Sequence, residues 1–245
     1  MFTVYVNWQI RQEGIRQPGR LLDFVPEMTR PCELCIFDLD GTLIDSAPDI
    51  ADALNQALSE RGLPAHSTAR VTRMIGEGVD VLVERALGRP RHPEHAVVVA
   101  AFRRLYAAEP AAKTRPYAGL PELLQRARAA GLTLAIATNK PNDITKQILI
   151  ALRLLPLFSV VIGAEPGLPR KPDPAAVRRI LELLAVRPER TLYIGDSLVD
   201  LATAHNAGVP AALVTWGYTD PAVLALAAPE ALCDSPDALA ERLGL

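Results

Sequence analysis

Residues 35–46 read CIFDLDGTLIDS, an apolar run that ends on Asp38, Leu39, Asp40 and Gly41. A strand of this hydrophobicity is buried, and a buried carboxylate is costly unless it is paired, so two of them at its end need a task. In extended backbone, residues two apart turn to the same side. The two side chains therefore repel each other unless a cation intervenes.

Downstream, short apolar runs alternate with amphipathic segments. Strands are predicted at residues 33–39, 132–139, 158–165, 191–197 and 211–217. Helices are predicted between them, at 120–131 with a C-capping Gly131, from 142, from 173, and at 198–208. Such alternation gives a parallel sheet with right-handed crossovers, an α/β doubly wound fold. One interval breaks the rhythm: between Ile44 and about Tyr117 the pattern is helical throughout, at 47–62, 78–88 and 94–109. A helical domain over 45–116 is thus expected to interrupt a core made of 31–44 and 117–245. Residues 1–30 carry scattered charge, glycine and proline without a period, which predicts a flexible extension, with Met28 as an alternative start.

With 26 Lys plus Arg against 28 Asp plus Glu, the net charge of −2 provides no global field for nucleic acid or an anionic membrane, and neither partner is expected. The longest apolar runs, such as VVVAAF at 97–102, fall far short of the roughly 18 residues a membrane span needs. Polar residues interrupt the opening stretch where a signal peptide would be apolar, and three cysteines are too few for a disulfide framework, so a cytoplasmic protein is expected. Cys32 and Cys35 have the spacing of a redox pair or half a zinc site, but no second pair completes four ligands. His92 and His95 read as surface residues.

Open parallel sheets bind ligands where their strands run out. The first strand ends in Asp38, Asp40, Gly41 and Thr42, the second in Thr138, Asn139 and Lys140, and the fourth in Gly195, Asp196 and Ser197, with Asp200 one helical turn further on. Lys171 precedes the helix that begins near Asp173. Hard oxygen ligands in that number ask for Mg²⁺. With a lysine, a threonine hydroxyl and exposed backbone amides at Gly41 and Thr42, such a site is complementary to a phosphoryl group, so a phosphate ester is the expected substrate. A carboxylate can attack phosphorus, and a second can protonate the departing oxygen and then activate water. Taken singly, Thr138 could cap a helix, Lys171 could be a surface lysine, and Asp200 a solvated helix residue.

D-x-D-G-T-L at 38–43, a strand-terminal threonine, lysine before Pro-Asp-Pro, and G-D-S-x-x-D at 195–200, in that order, resemble the haloacid dehalogenase-like phosphohydrolases. The resemblance spans residues 33–220 and implies roles. Asp38 resembles the nucleophile and a metal ligand. Asp40 resembles the general acid/base, with its backbone carbonyl on the metal. Thr138 resembles the phosphate-binding residue with Asn139 beside it, Lys171 the cation that steadies nucleophile and phosphate, and Asp196 a direct metal ligand. Asp200 resembles a group that stands behind the metal ligands or reaches the metal through water. The resemblance also makes the helical insertion a cap that closes over the site.

Within that family, residues 40–58, 117–141 and 195–218 are most similar to phosphoglycolate phosphatases, which implies 2-phosphoglycolate as the small phosphorylated substrate. Its carboxylate needs a donor from the insertion, for which Arg73, Arg85 or a helix N-terminus near Gly78 are the candidates. A sugar-phosphate phosphatase or a phosphomutase would share the core motifs, although Tyr106 is the sole aromatic singled out for a sugar. A dehalogenase attacks carbon and does not need Asp40. A non-catalytic binding module would be expected to lose some of the four motifs.

Overall fold

The computed structural model describes residues 32–245. The extension expected over residues 1–30, and Met28 with it, lies outside the described residues. Strand β1 (Leu34–Phe37) is followed by a two-residue strand, β2 (Ile44–Asp45). Among the described residues, four helices come next: α1 (Ala47–Ser59), α2 (Thr68–Thr72), α3 (Val79–Leu87) and α4 (His95–Ala108). Strand β3 (Arg115–Pro116) then pairs antiparallel with β2, so the helical insertion leaves and re-enters the chain at adjacent points.

Alternation follows: α5 (Leu120–Ala129), β4 (Thr133–Pro141), α6 (Asn142–Ala151), β5 (Val160–Ala164), α7 (Ala175–Leu184), β6 (Thr191–Gly195), α8 (Leu198–Ala207) and β7 (Ala211–Val214). The chain closes with α9 (Pro221–Leu226), β8 (Ala231–Cys233) and α10 (Pro236–Leu243). The parallel sheet has the order β5-β4-β1-β6-β7-β8, with β1 central. The expected strands are present, whereas the edge strand β8, the short pair β2 and β3, and helices α2, α9 and α10 were not expected. Three residues of ALC are too short a run for a period of two to register.

Why β1 takes the centre follows from its side chains. Leu34 and Ile36 join an apolar cluster with Val177 and Ile180 of α7, Leu201 of α8 and Leu224 of α9. Cys35 and Phe37 point the other way, into a cluster with Leu123 of α5, Ile148 of α6 and Leu239 of α10. A strand covered on both faces must be apolar at every position, and all four residues are at most 1% exposed. Burying Phe37 or Ile36 is worth about 1.5–3 kcal/mol each relative to exposure. This packing fixes where Asp38 falls, one residue past the strand, beside the point at which the strand order reverses.

The insertion lies over that same end. Leu54 and Leu58 of α1, Leu82 and Val83 of α3, and Val98, Phe102 and Tyr106 of α4 belong to the cluster that contains Phe37. Its two connections are clamped. Asp49 accepts from the amides of Lys113 (2.9 Å) and Thr114 (2.7 Å) and from the Thr114 hydroxyl (2.7 Å). The Tyr218 hydroxyl accepts from the amides of Ser46 (2.8 Å) and Ala47 (3.0 Å) at the start of α1.

Candidate active site

The strand ends bring Asp38, Asp196 and Asp200 together, with one carboxylate oxygen from each within 4.8 Å of the others. All three are buried. Lys171 Nζ lies 2.6 Å from Oδ1 of Asp200 and 2.8 Å from Oδ1 of Asp38, and it donates to the Tyr193 hydroxyl at 3.2 Å. Its approach to Asp38 is off hydrogen-bond geometry, so that oxygen is buried without a hydrogen-bond donor among the described residues. Burial pulls the Lys171 ammonium down, and the charges of Asp200 and Asp38 more than offset this, leaving it well above the ordinary lysine value. Burial, with Asp200 and Asp40 adding to it, raises Asp38 to about 6 despite Lys171. Asp196 is pushed up to about 8, first by burial and then by the charges of Asp200 and Asp38.

Asp200 is no solvated helix residue. Its side chain and that of Ser197 form a reciprocal cap on α8: Oδ2 accepts from the Ser197 amide (3.1 Å) and hydroxyl (2.6 Å), while Ser197 Oγ accepts from the Asp200 amide. With Oδ1 on Lys171, it acts on the centre by fixing that ammonium.

Asp196 is held by the Thr42 hydroxyl at 3.0 Å and the Tyr218 amide at 2.8 Å. The turn after Asp38 makes room for it. Gly41 has φ +82°, and a Cβ there would lie 2.4 Å from Asp196 Oδ2, so the position tolerates neither the strain nor the volume of a side chain. The turn also corrects an expectation. The Gly41 amide donates to Ile44 at 2.9 Å and the Thr42 amide to Leu39 at 3.3 Å, so neither is free for a ligand. Thr42, 1% exposed, has its hydroxyl on Asp196. The amides of Leu39 and Asp40 have no acceptor among the described residues, which moves the available donors upstream.

Thr138 lies at the cavity with its hydroxyl accepting from the Lys140 amide at 3.3 Å. Asn139 corrects a second expectation. Its Oδ1 accepts from the Lys171 amide (2.8 Å), and its Nδ2 donates to the carbonyls of Lys171 (3.3 Å) and Gly76 (3.1 Å). A carboxamide offers two N–H donors, and both are taken. Asn139 therefore ties the Lys171 loop to the insertion and has no side-chain donor left for phosphate.

Sequence reasoning placed Lys140 at a strand end and gave it no role. Its Nζ donates to both oxygens of Asp40, at 2.8 and 3.1 Å, and the two side chains are only 4% and 12% exposed. Burial lowers this lysine and Asp40 lifts it further, so it stands well above its ordinary value. Ser46 donates a third bond to Asp40. Lys140 directly follows Thr138 and Asn139 at the carboxyl end of a strand, and that position was the available signal.

A cavity of about 500 Å³ opens between the sheet and the insertion. Asp38, Asp40, Thr138 and Lys140 form its floor, and Gly76, Gly78, Phe102 and Tyr106 border it from the insertion. Arg73 and Arg85 do not line it. Arg85 bonds the Met74 carbonyl and Glu77 within the insertion, and Arg73 is an exposed cap residue of α2. Gly78, the N-cap of α3, does reach it, covered by Arg170 from the core.

The acidic centre fits a divalent cation. Three buried carboxylates with two raised protonation equilibria and one orphaned oxygen are stabilised by a positive charge, and an all-oxygen set suits Mg²⁺. Among the described residues no cysteine or histidine joins such a group: the Cys32 and Cys35 sulfurs lie 3.9 Å apart, and His95 Nε2 is 2.9 Å from the Asp80 carbonyl.

The profile of the haloacid dehalogenase-like hydrolases matches residues 35–214. A phosphoglycolate phosphatase of Cereibacter sphaeroides is 43% identical over 187 residues, 75% of this chain and 85% of its own. One of Aquifex aeolicus is 39% identical over 183 residues, with 75% and 84% covered. Among solved structures, a predicted phosphoglycolate phosphatase from Haemophilus somnus superposes with a TM-score of 0.81 at 31% identity, covering 87% of this chain and 99% of that one.

Proposed function

The chain belongs to the haloacid dehalogenase-like hydrolases, and on that premise we propose that it is a phosphoric monoester hydrolase that cleaves 2-phosphoglycolate through an aspartyl-phosphate on Asp38, with Mg²⁺ as cofactor. The observation that carries this reading is Asp38 itself. It is a buried carboxylate at a strand end, 2.8 Å from a lysine ammonium, with an oxygen that no donor among the described residues occupies.

Asp38 and Asp196, with the Asp40 carbonyl, hold the Mg²⁺, which when bound offsets the charge of the carboxylates and the phosphoryl group. The Lys171 ammonium and the amides of Leu39 and Asp40 face the phosphoryl oxygens, Thr138 adds a hydroxyl, and Asn139 positions Lys171. An Asp38 oxygen attacks phosphorus and the ester oxygen leaves, taking a proton from Asp40. Water then attacks the aspartyl-phosphate as Asp40 accepts its proton, which frees orthophosphate and restores Asp38. The helical insertion serves as a cap that excludes bulk water from the cavity. We place the enzyme in the cytoplasm, where its free cysteines Cys32, Cys35 and Cys233 stay reduced. Among the described residues no helix is long and apolar enough to cross a membrane.

Phosphate release from a panel of monoesters, with 2-phosphoglycolate beside sugar phosphates, tests the assignment. Turnover is expected to stop in EDTA and return with Mg²⁺, with 2-phosphoglycolate ranking first; release from sugar phosphates alone would overturn the substrate.

Stability offers an independent check on the metal. Asp196 and Asp38 have folded pKa values of about 8 and about 6, above the ordinary 3.8. A raised acid stabilises the fold at low pH and loses that contribution as pH climbs through its folded value. The metal-free protein is thus expected to weaken between about pH 4 and 8, and Mg²⁺ to raise Tm more at about pH 8 than at about pH 6. An equal gain at both pH values would remove Asp196 from the metal set.

A further inference from the structure

The proposed reaction leaves two buried groups beside the reacting atoms without a task. One is the Lys140 ammonium. It carries three N–H donors, two of which account for the oxygens of Asp40 at 2.8 and 3.1 Å. Its other side faces the ring of Tyr106, whose centroid is 4.7 Å from Nζ. The second group is the Tyr106 hydroxyl, on a residue 6% exposed, with no hydrogen-bond partner among the described residues. A buried hydroxyl without a partner is unfavourable, and the surroundings hold it there: Tyr106 stacks on Phe102 with centroids 5.4 Å apart and ring planes 16° from parallel.

Both residues line the cavity, one from the core strand β4 and the other from helix α4 of the insertion. An orphaned O–H next to an ammonium is complementary to an anion with two oxygens, since one oxygen accepts from each donor. We propose that Lys140 and Tyr106 form the subsite for the carboxylate of the substrate, a role that rests on the phosphatase reading above and goes beyond it in naming the residues that select the ester.

Position supports a short substrate. Asp40, in hydrogen-bond contact with Lys140, is the proton donor to the ester oxygen in the reaction above. A carboxylate one carbon from that oxygen falls beside Lys140, whereas a charge at the far end of a sugar chain reaches past it. The other cations fit less well. Lys171 faces Asp38, Asp200 and Tyr193. Arg103 and Arg170 share Asp80 at 3.3 and 3.5 Å on the open rim, where water screens them. The carboxylate subsite therefore joins core to insertion, and the substrate's own second anion holds the cap against the site.

The test compares 2-phosphoglycolate with ethyl phosphate, which has the same two-carbon skeleton and no carboxylate, in the wild type, Tyr106→Phe and Lys140→Gln. Tyr106→Phe keeps the ring stack and the ring face toward Lys140 and removes only the hydroxyl. The wild type is expected to prefer 2-phosphoglycolate. The ratio of the two kcat/KM values should fall about tenfold in Tyr106→Phe and about 100-fold in Lys140→Gln, as expected for losing one hydrogen bond to a charged group and then an ionic one. Most of the change should appear in KM for 2-phosphoglycolate. If the wild type cleaves both esters equally, or the ratio stays unmoved while both activities fall in parallel, the subsite is overturned and the two residues only orient Asp40. A wild type that cleaves neither ester but releases phosphate from sugar phosphates overturns this inference alone, and one that cleaves no monoester of the panel overturns the phosphatase reading as well. Lys140→Gln breaks the buried pair with Asp40 and should melt lower, so a cooperative transition above the assay temperature in each variant separates these outcomes from a folding defect.

Discussion

Asp38→Asn is expected to leave a folded protein without measurable turnover, a loss of at least about 10⁴-fold in kcat, because the amide oxygen that replaces the carboxylate cannot attack phosphorus. The substitution is nearly isosteric. It removes one negative charge from a centre in which burial and neighbouring carboxylates already raise Asp38 to about 6 and Asp196 to about 8. Lys171 keeps Asp200 at 2.6 Å and so is not left as an unpaired buried charge. Metal-free stability should therefore match or exceed that of the wild type, while the rise in Tm on adding Mg²⁺ should shrink because a ligand has gone. Phosphate release and a Mg²⁺ melting series check both halves. Turnover within tenfold of the wild type would exclude Asp38 as the nucleophile.

How far the sequence could be read follows from which groups meet locally. The sheet was legible because each of β1, β4, β6 and β7 carries an apolar run, at 34–37, 134–137, 192–194 and 211–214, and the motifs were legible because strand ends in a parallel sheet converge on one side. Asp38, Asp196 and Lys171 fall where that rule puts them. The errors lie in hydrogen bonds that only the folded chain reveals. The Gly41 and Thr42 amides looked free because nothing in D-x-D-G-T-L says that the turn bonds them back to Ile44 and Leu39. Asn139 looked like a ligand-facing amide, and its partners are the Lys171 backbone, 32 residues away, and Gly76 of the insertion. Lys140 was hardest to see, since its partner Asp40 is 100 residues distant and Tyr106 arrives on a helix inserted between them. A lysine at the carboxyl end of a strand ordinarily points to water, and here the insertion buries it.

Asp40→Asn should fail differently, and the contrast with Asp38→Asn separates the two roles. A carboxamide at this position can neither protonate the leaving oxygen nor take the proton from water, so kcat for 2-phosphoglycolate should fall by about 10²–10⁴. Attack by Asp38 itself is not removed. With an aryl ester such as p-nitrophenyl phosphate, whose leaving group needs no proton, the first step should proceed and the second should stall. One equivalent of nitrophenolate in a burst, and intact protein heavier by one phosphoryl group, are the expected signs. The cost to the fold is also opposite. Among the described residues Asp40 is the carboxylate that pairs with Lys140, and the two side chains are largely buried, so the ammonium loses its counter-charge and keeps the neutral amide oxygen and the ring face of Tyr106. Removing one partner of a buried pair costs about 3–5 kcal/mol, and the retained oxygen places this variant at the lower end. A loss of that size in a chain of this length lowers Tm by several degrees, whereas Asp38→Asn should not. If the Asp40 variant melts with the wild type and accumulates no phosphoprotein, Asp40 is neither the acid/base nor the anchor of Lys140.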